Sequence, residues 1–494
     1  MSTLRLLTCV VCCAAAAAAA QQPQAPQAPP PSIPPWQAPT PWPDRVIVTI
    51  EQDPAASFSV SWRTRAGISA PRAEIVRADD HSRFDLGAAS LAARTETPDL
   101  DRKIVDGEQY ALRWNAHVEQ PAYHSVTFAD LEPDTLYAYR VMGAEGHWSE
   151  WFHTRTAPGP GTPFTFLYFG DAQDGILSHW ARVVRAAYAA APDARFAIHA
   201  GDLVNIGSRD FEWAEWFRSV GFIHGMIPAL PVAGNHEYFD GIVREGGGAV
   251  TGLSVLWRPQ FALPQDPDLP EALSETVYAV RYGDVLVAAL DTMASGYFDV
   301  QAEWLDRTLA ASDAKWKLVT LHHPLFELIE RNYYDGGPER RAAFLPVIER
   351  RGVDMVLQGH DHSYGRGATF GAPRAPSVGR RGELGTVFVT SSAGAKMYAV
   401  GDDGWNRFAA QGAVLERAAE NTAFFQVISL DGNSLTYEAR TATGRLYDGF
   451  RLEKPRRTGP NRLIELPTDF QSERRFDNTP GYENPRLDSQ PALP

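Results

Sequence analysis

Cysteine is scarce in this chain of 494 residues: the sequence holds 3, at positions 9, 12 and 13. All lie in a stretch laid out like a secretory signal. Arg5 precedes the apolar run 6–20, and Ala18-Ala19-Ala20 offers a small-residue cleavage site before Gln21. Removal of residues 1–20 would leave no thiol, so the mature chain is expected to have neither disulfides nor cysteine-ligated metal. Neither Cys9 nor Cys12 follows a lipobox, which argues against a lipid anchor, and the expected location is secreted or periplasmic. Long apolar runs are also few. The run 6–20 is short for a membrane span and none later is longer, so no transmembrane span is expected. Positive charge is the third shortage. The 46 Lys and Arg against 60 Asp and Glu give a formal net charge of -14, which argues against a protein that coats nucleic acid. A small phosphorylated substrate remains compatible, because buried cations bind phosphate locally whatever the net charge.

What is present is a globular composition, 44% hydrophobic, in a chain long enough for two domains. Residues 21–43 are rich in Pro, Ala and Gln and read as an extended linker, with Trp36 and Trp42 available to dock onto the adjoining domain. From 44 to 156 short alternating runs predict an all-β domain: 46–50, 58–64, 125–128 and 135–141. Trp62 in an early run, and a corner from Leu131 to Tyr137 containing Pro133-Asp134, resemble a fibronectin type III sandwich, with both aromatics read as core. A breaker-rich stretch at 156–161 marks a boundary. From 157 to 453 buried-strand runs alternate with amphipathic helices, the pattern of a layered α/β domain. Strands are expected at 164–169, 195–200, 227–232, 278–282, 285–290, 318–321, 353–357, 386–389, 423–430 and 434–440, with helices near 176–191 and 210–218. Residues 454–494 are charged and proline-bearing and read as a disordered tail.

The chemistry collects at strand ends. Run 164–169 leads into Gly170-Asp171, and 195–200 into Gly201-Asp202. Run 227–232 leads towards Gly234-Asn235-His236-Glu237, 318–321 into His322-His323-Pro324, and 353–357 towards Gly359-His360-Asp361-His362. Ligands bind at the carboxyl ends of strands in such sheets, so these residues are expected to converge. A Gly-Asp pair alone is an ordinary turn. Five metal-competent ends in order are not explained by turns. Imidazole, carboxylate and amide donors without thiolate suit Fe, Zn or Mn.

The order Gly-Asp, Gly-Asp, Gly-Asn-His-Glu, Val-x-x-His, Gly-His-x-His resembles the metallophosphoesterases. The leading β domain, and the run from Gly359 through Tyr364 to Arg366, are similar to the purple acid phosphatase branch. The resemblance implies a catalytic domain of two packed sheets flanked by helices, α-β-β-α. It also implies two divalent or trivalent ions, with Asp202 bridging, Asp171 and His362 on the first, and Asn235, His322 and His360 on the second. His236 becomes the general acid.

Two positions depart from the family. Asn205 stands where purple acid phosphatases carry the iron-binding tyrosine, and Gln173 where many metallophosphoesterases have histidine. Each side chain either gives an amide oxygen to the first ion or hydrogen-bonds bound water or phosphate. The centre is therefore expected not to be purple. His323, Asp361, Tyr364 and Arg366 stand as supports of the ligands or as substrate contacts, His323 being read as a strand-end residue turned away from its neighbour. Loops at 241–248 and 326–338 are candidates to border the site. The expected function is hydrolysis of small phosphomonoesters. A phosphodiesterase or nucleotide hydrolase on the same site is the alternative within the class, and an inactive cell-surface binding protein the alternative outside it. The oligomeric state is not written in these motifs.

Overall fold

The computed structural model describes residues 34–98, 100, 119–238, 242–243, 249–250, 252–329, 336–371, 383–455, 460–470 and 473–479. The signal-like stretch, most of the linker, residues 244–248 of one expected loop and 330–335 of the other lie outside these. No helix among the described residues is long and apolar enough to cross a membrane.

The first domain is a β-sandwich. One sheet carries Asp44–Thr49, Phe58–Arg65, Pro121–Phe128 and Arg94–Glu96; the other is Ala89–Ala92, Arg72–Arg77, Leu136–Met142 and Phe152–Arg155. Trp62 is fully buried between them with Phe58, Phe128 and Tyr139. At the corner before Leu136 the Tyr137 hydroxyl accepts the backbone N–H of Glu132 at 2.9 Å. That bond is the tyrosine corner of such sandwiches, so the aromatic core reading holds. Trp36 meets the second domain instead of the sandwich, the Arg218 guanidinium lying 4.7 Å from its ring centre, while Trp42 meets His147 of the sandwich edge-on at 4.6 Å and stays 54% exposed.

The boundary near 156 is not a boundary between sheets. Asp44–Thr49 pairs in parallel with Ala229–Pro231 through Thr49 and Ala229, which fuses one face of the sandwich to the second domain in an 11-stranded sheet. A buried ion cluster reinforces the seam. Asp210, at the start of helix Asp210–Val220, accepts from Arg45 Nη1 and Nη2 at 2.9 Å each and from Arg63 Nη1 at 3.0 Å.

The second domain stacks two sheets between helices. The 11-stranded sheet continues through Ala197–His199, Phe164–Phe169, Phe424–Asp431, Ser434–Thr441 and Leu446–Glu453 to Arg462–Glu465. The other runs Tyr278–Tyr282, Val285–Leu290, Trp316–Leu321, Met355–Gln358, Leu384–Thr390, Tyr364–Phe370, Ala413–Glu420 and Arg475–Asp477. Rings knit the faces together, as where Phe164 meets Tyr282 at 5.2 Å. Helices Ala181–Ala190 and Asp210–Val220 cover one outer face, and Phe298–Ala311 with Gly337–Arg351 cover the other, Phe298 meeting Phe344 at 5.2 Å. This is the expected α-β-β-α order. Because Phe164–Phe169, Ala197–His199 and Ala229–Pro231 are parallel, as are Trp316–Leu321 and Met355–Gln358, their carboxyl ends open on common edges.

The reading of 454–494 as a disordered tail is corrected over its first part. Arg462–Glu465 pairs with Leu446–Glu453, and Arg475–Asp477 with Ala413–Glu420. The charges that suggested disorder are used in ion pairs: Glu465 with Arg366 and Arg475 with Glu420, each at 2.9 Å.

Candidate metal centre

Four residues at the converging ends sit in the left-handed region: Gly201 at φ +89°, Asp202 at 52°, His360 at 73° and His362 at 46°. Left-handed backbone at non-glycine residues costs energy and persists only where neighbours hold it. Here they do. The Glu237 carboxylate accepts the N–H groups of Asp202 (2.9 Å), Leu203 (2.9 Å), Val204 (3.3 Å) and Gly234 (2.8 Å). The His360 N–H donates to Asp171 Oδ1 at 2.7 Å. Two glycines are required by crowding. A Cβ on Gly234 would stand 2.2 Å from Asp202 Oδ1, and one on Gly359 2.5 Å from Asp171 Oδ1.

The donor atoms then gather in two adjoining groups. In one, Asp171 Oδ2 lies 3.3 Å from His362 Nε2, which is 3.3 Å from Gln173 Nε2. In the other, Asn235 Oδ1 lies 3.0 Å from His322 Nε2 and 2.9 Å from His360 Nδ1. Asp202 Oδ2 faces both, at 2.7 Å from Gln173 Nε2 and 3.2 Å from His322 Nε2.

Backbone carbonyls decide which histidine nitrogens carry hydrogen, since a carbonyl can only accept. His322 Nδ1–H donates to Ala200 at 2.8 Å, and His362 Nδ1–H to Lys396 at 3.0 Å. In the neutral rings the Nε2 lone pairs therefore point at Asp202, Asn235 and Asp171, all acceptors. Lone pairs turned on lone pairs ask for a cation. Asp171 Oδ2 and Gln173 Oε1 are buried without hydrogen-bond partners. A half-turn of the Gln173 amide would put its oxygen where the nitrogen stands. The residues present thus fit metal ions.

The electrostatics agree. Burial pushes the Asp171 carboxyl up to about 7, with His322 opposing and Asp202 adding repulsion. Burial would also raise Asp202, but His322 and His236 hold it well below the usual carboxylate range. Burial would lower His322, yet Asp202 and Asp171 push it up to about 9. A proton there answers the same negative charge that an ion would neutralise.

Family models match this chain in two consecutive parts. The purple acid phosphatase N-terminal domain matches residues 43–156, and the calcineurin-like phosphoesterase domain matches 164–364, the stretch holding all five donor-bearing strand ends. The chain belongs to the purple acid phosphatase-like branch of the metallophosphoesterases. Purple acid phosphatase 1 of Ipomoea batatas is 27% identical over 259 residues, 49% of this chain and 51% of that protein. Fe(3+)-Zn(2+) purple acid phosphatase 12 of Arabidopsis thaliana is 25% identical over 260 residues, 49% and 52% respectively. The chain spans about half the length of these curated relatives. A solved purple acid phosphatase from yellow lupin (Lupinus luteus) seeds shares the fold, with a TM-score of 0.65 at 18% identity over 84% of this chain and 75% of that one.

The two departures from the metallophosphoesterase pattern are placed differently. The Gln173 amide lies within the first donor group. Asn205 is half-buried, and its backbone carbonyl meets the site by accepting from His236 Nδ1. That bond leaves His236 Nε2 facing Asp202 Oδ2 at 3.8 Å. His323 is not turned away. Its ring centre is 4.1 Å from that of His360, one nitrogen of each lies within 4.8 Å of the other and of a His322 nitrogen, and its Nδ1 bonds Thr292 Oγ1 at 2.8 Å. Thr292 stands just beyond Val285–Leu290 and steers it there.

Asp361 accepts the Leu328 N–H, pinning the segment after His322. Tyr364 and Arg366 are buried structural ties, which removes them as substrate contacts. Tyr364 donates to Asp448 Oδ2 at 2.7 Å, and Arg366 grips Asp448 at 2.9 and 2.8 Å. Glu237 and Lys396 hold the site without belonging to the donor pattern of the strand ends. The adjacency of Glu237 to Asn235 and His236 was the one local signal for the first.

Proposed function

We propose that this protein is an exported two-ion phosphoesterase acting on small phosphomonoesters, with Asp202 shared between the ions. Asp171, His362 and the Gln173 amide would hold the first, and Asn235, His322 and His360 the second. The observation that carries the reading is Asp202 Oδ2, which faces both donor groups, 2.7 Å from Gln173 Nε2 and 3.2 Å from His322 Nε2. Ions bound there would supply Lewis acidity and activate the attacking water.

The chain's own residues handle the leaving group. His236 is held by Asn205 through Nδ1, with its side chain 12% exposed, so Nε2 is the atom that reaches a substrate. Burial lowers its affinity for a proton, Asp202 opposes that, and Lys396 adds to it. A histidine so balanced gives up a proton readily to a departing alkoxide. The name of the Arabidopsis relative, Fe(3+)-Zn(2+), supports iron and zinc as first choices, while Mn stays compatible with the donors. With Asn205 in place of tyrosine, we expect no strong tyrosinate-to-iron absorption. Export rests on residues 1–20.

The test compares nitrophenyl phosphate with bis-nitrophenyl phosphate on metal-loaded protein. The monoester is expected to turn over faster. Faster turnover of the diester would overturn the monoester reading, and no hydrolysis of either would favour a binding protein.

A further inference from the structure

The segment 391–398 walls the first donor group, and it is fastened at both ends to residues that carry the donors. Ser392 forms a parallel bridge with Asp171. The N–H groups of Ala393 and Gly394 donate to the Asp171 carbonyl at 2.9 and 2.7 Å, that of Ala395 to Asp174 at 3.2 Å, and that of Tyr398 to His362 at 3.1 Å. Lys396 stands between these anchors, and its own carbonyl holds His362 Nδ1 at 3.0 Å.

The Lys396 side chain is half-buried, and its ammonium lies 5.7 Å from the Tyr398 ring centre. Tyr398 in turn meets His362 edge-on at 5.0 Å. Among the described residues no carboxylate pairs with this ammonium, in a chain with 60 acidic residues and 46 basic ones. Its charge is felt by both His362 and His236. A cation carried on the loop whose carbonyl holds His362, lying against Tyr398 and with no carboxylate partner among the described residues, suits an anion that arrives there.

We propose that the Lys396 ammonium holds a non-bridging oxygen of the substrate phosphoryl group and sets a preference for dianionic phosphomonoesters over phosphodiesters. This rests on reading the site as a phosphoesterase. The preference follows from charge. Above its second ionisation, at about pH 6, a monoester carries two negative charges and a diester one. The extra charge sits on an oxygen that a diester has covered with carbon, so a point cation discriminates between them.

Lys396→Met and Lys396→Arg, compared with the parent as full-length metal-loaded proteins, test this. The methionine variant is expected to lose about 10–100-fold in kcat/KM on nitrophenyl phosphate, the scale of a charge-assisted hydrogen bond, and less than about 3-fold on the bis-nitrophenyl ester. Its affinity for inorganic phosphate, measured by calorimetry, should fall about tenfold or more at unchanged metal content, and arginine should restore most of it. Equal losses on both esters, or phosphate binding as tight as in the parent, would overturn the proposal. If the parent hydrolyses neither ester while its phosphate affinity still depends on Lys396, the anion site stands and the phosphoesterase reading falls.

Discussion

Asp202→Asn should retain the fold and lose the activity, by roughly a thousandfold or more in kcat/KM on a phosphomonoester, the scale of several kcal/mol of charge stabilisation at about 1.4 kcal/mol per tenfold. The substitution is a clean one for this position. Asparagine tolerates the left-handed backbone at φ 52°, and its Oδ1 can still accept the His236 N–H that Asp202 accepts at 2.9 Å. The Glu237 carboxylate still gathers the N–H groups of the turn. What disappears is the negative charge at the atom that faces both donor groups. His322 also loses the chief partner that raises it, so its proton affinity should fall in the metal-free variant. Thermal unfolding within about 1 kcal/mol of the parent would show that the fold is intact. Retained hydrolysis and retained metal would show that Asp202 is not shared between ions.

Asp210→Ala should produce the largest loss of stability. Asp210 is 1% exposed and neutralises Arg45 and Arg63 at once, while Arg63 keeps Asp44 as a second partner at 2.7 Å. Removing the shared carboxylate leaves Arg45 buried without its counter-charge, at a cost of about 3–5 kcal/mol. The loss falls on the seam where the sandwich joins the second domain through Thr49 and Ala229. Denaturant unfolding measures it directly. The sign with pH comes from the direction of the shift. Burial would raise the Asp210 carboxyl, but Arg45 and Arg63 hold it below its ordinary value. Its contribution is therefore present above the unfolded carboxyl's range, at about pH 4, and fades as pH falls through the lower folded value, so parent and variant should converge in strong acid. A difference under about 1 kcal/mol at neutral pH would mean that the seam does not depend on this cluster.

The strand ends were legible because their signals are local. Strands 164–169, 278–282 and 285–290 coincide with the runs that predict them, and Gly-Asp, Asn-His and Gly-His-x-His mark sharp turns next to the donors. Period-two apolar runs place a strand, and a strand places its own carboxyl end. Other features depend on partners far away in the chain. Glu237 acts on a backbone turn 35 residues earlier, at Asp202. Tyr364 and Arg366 become structural only through Asp448, which lies 84 and 82 residues later. His323 is drawn to His360 by Thr292, 31 residues before it. The charged segment after residue 454 looked unfit for a core, yet its strands lie on sheet edges, where ion pairs and not apolar burial hold them. Lys396 sits in a stretch without periodicity, and its place beside His362 is set by the Asp171 carbonyl that anchors its loop.

The measurement that bears most directly on the central claim is elemental analysis of the full-length protein purified without chelators, with Asp202→Asn and His362→Ala beside it. The two-ion reading predicts about two metal equivalents per chain in the parent, near one in His362→Ala, and a loss of both ions or of their retention in Asp202→Asn. A single equivalent in the parent that is indifferent to His362, or no metal at all, would contradict it.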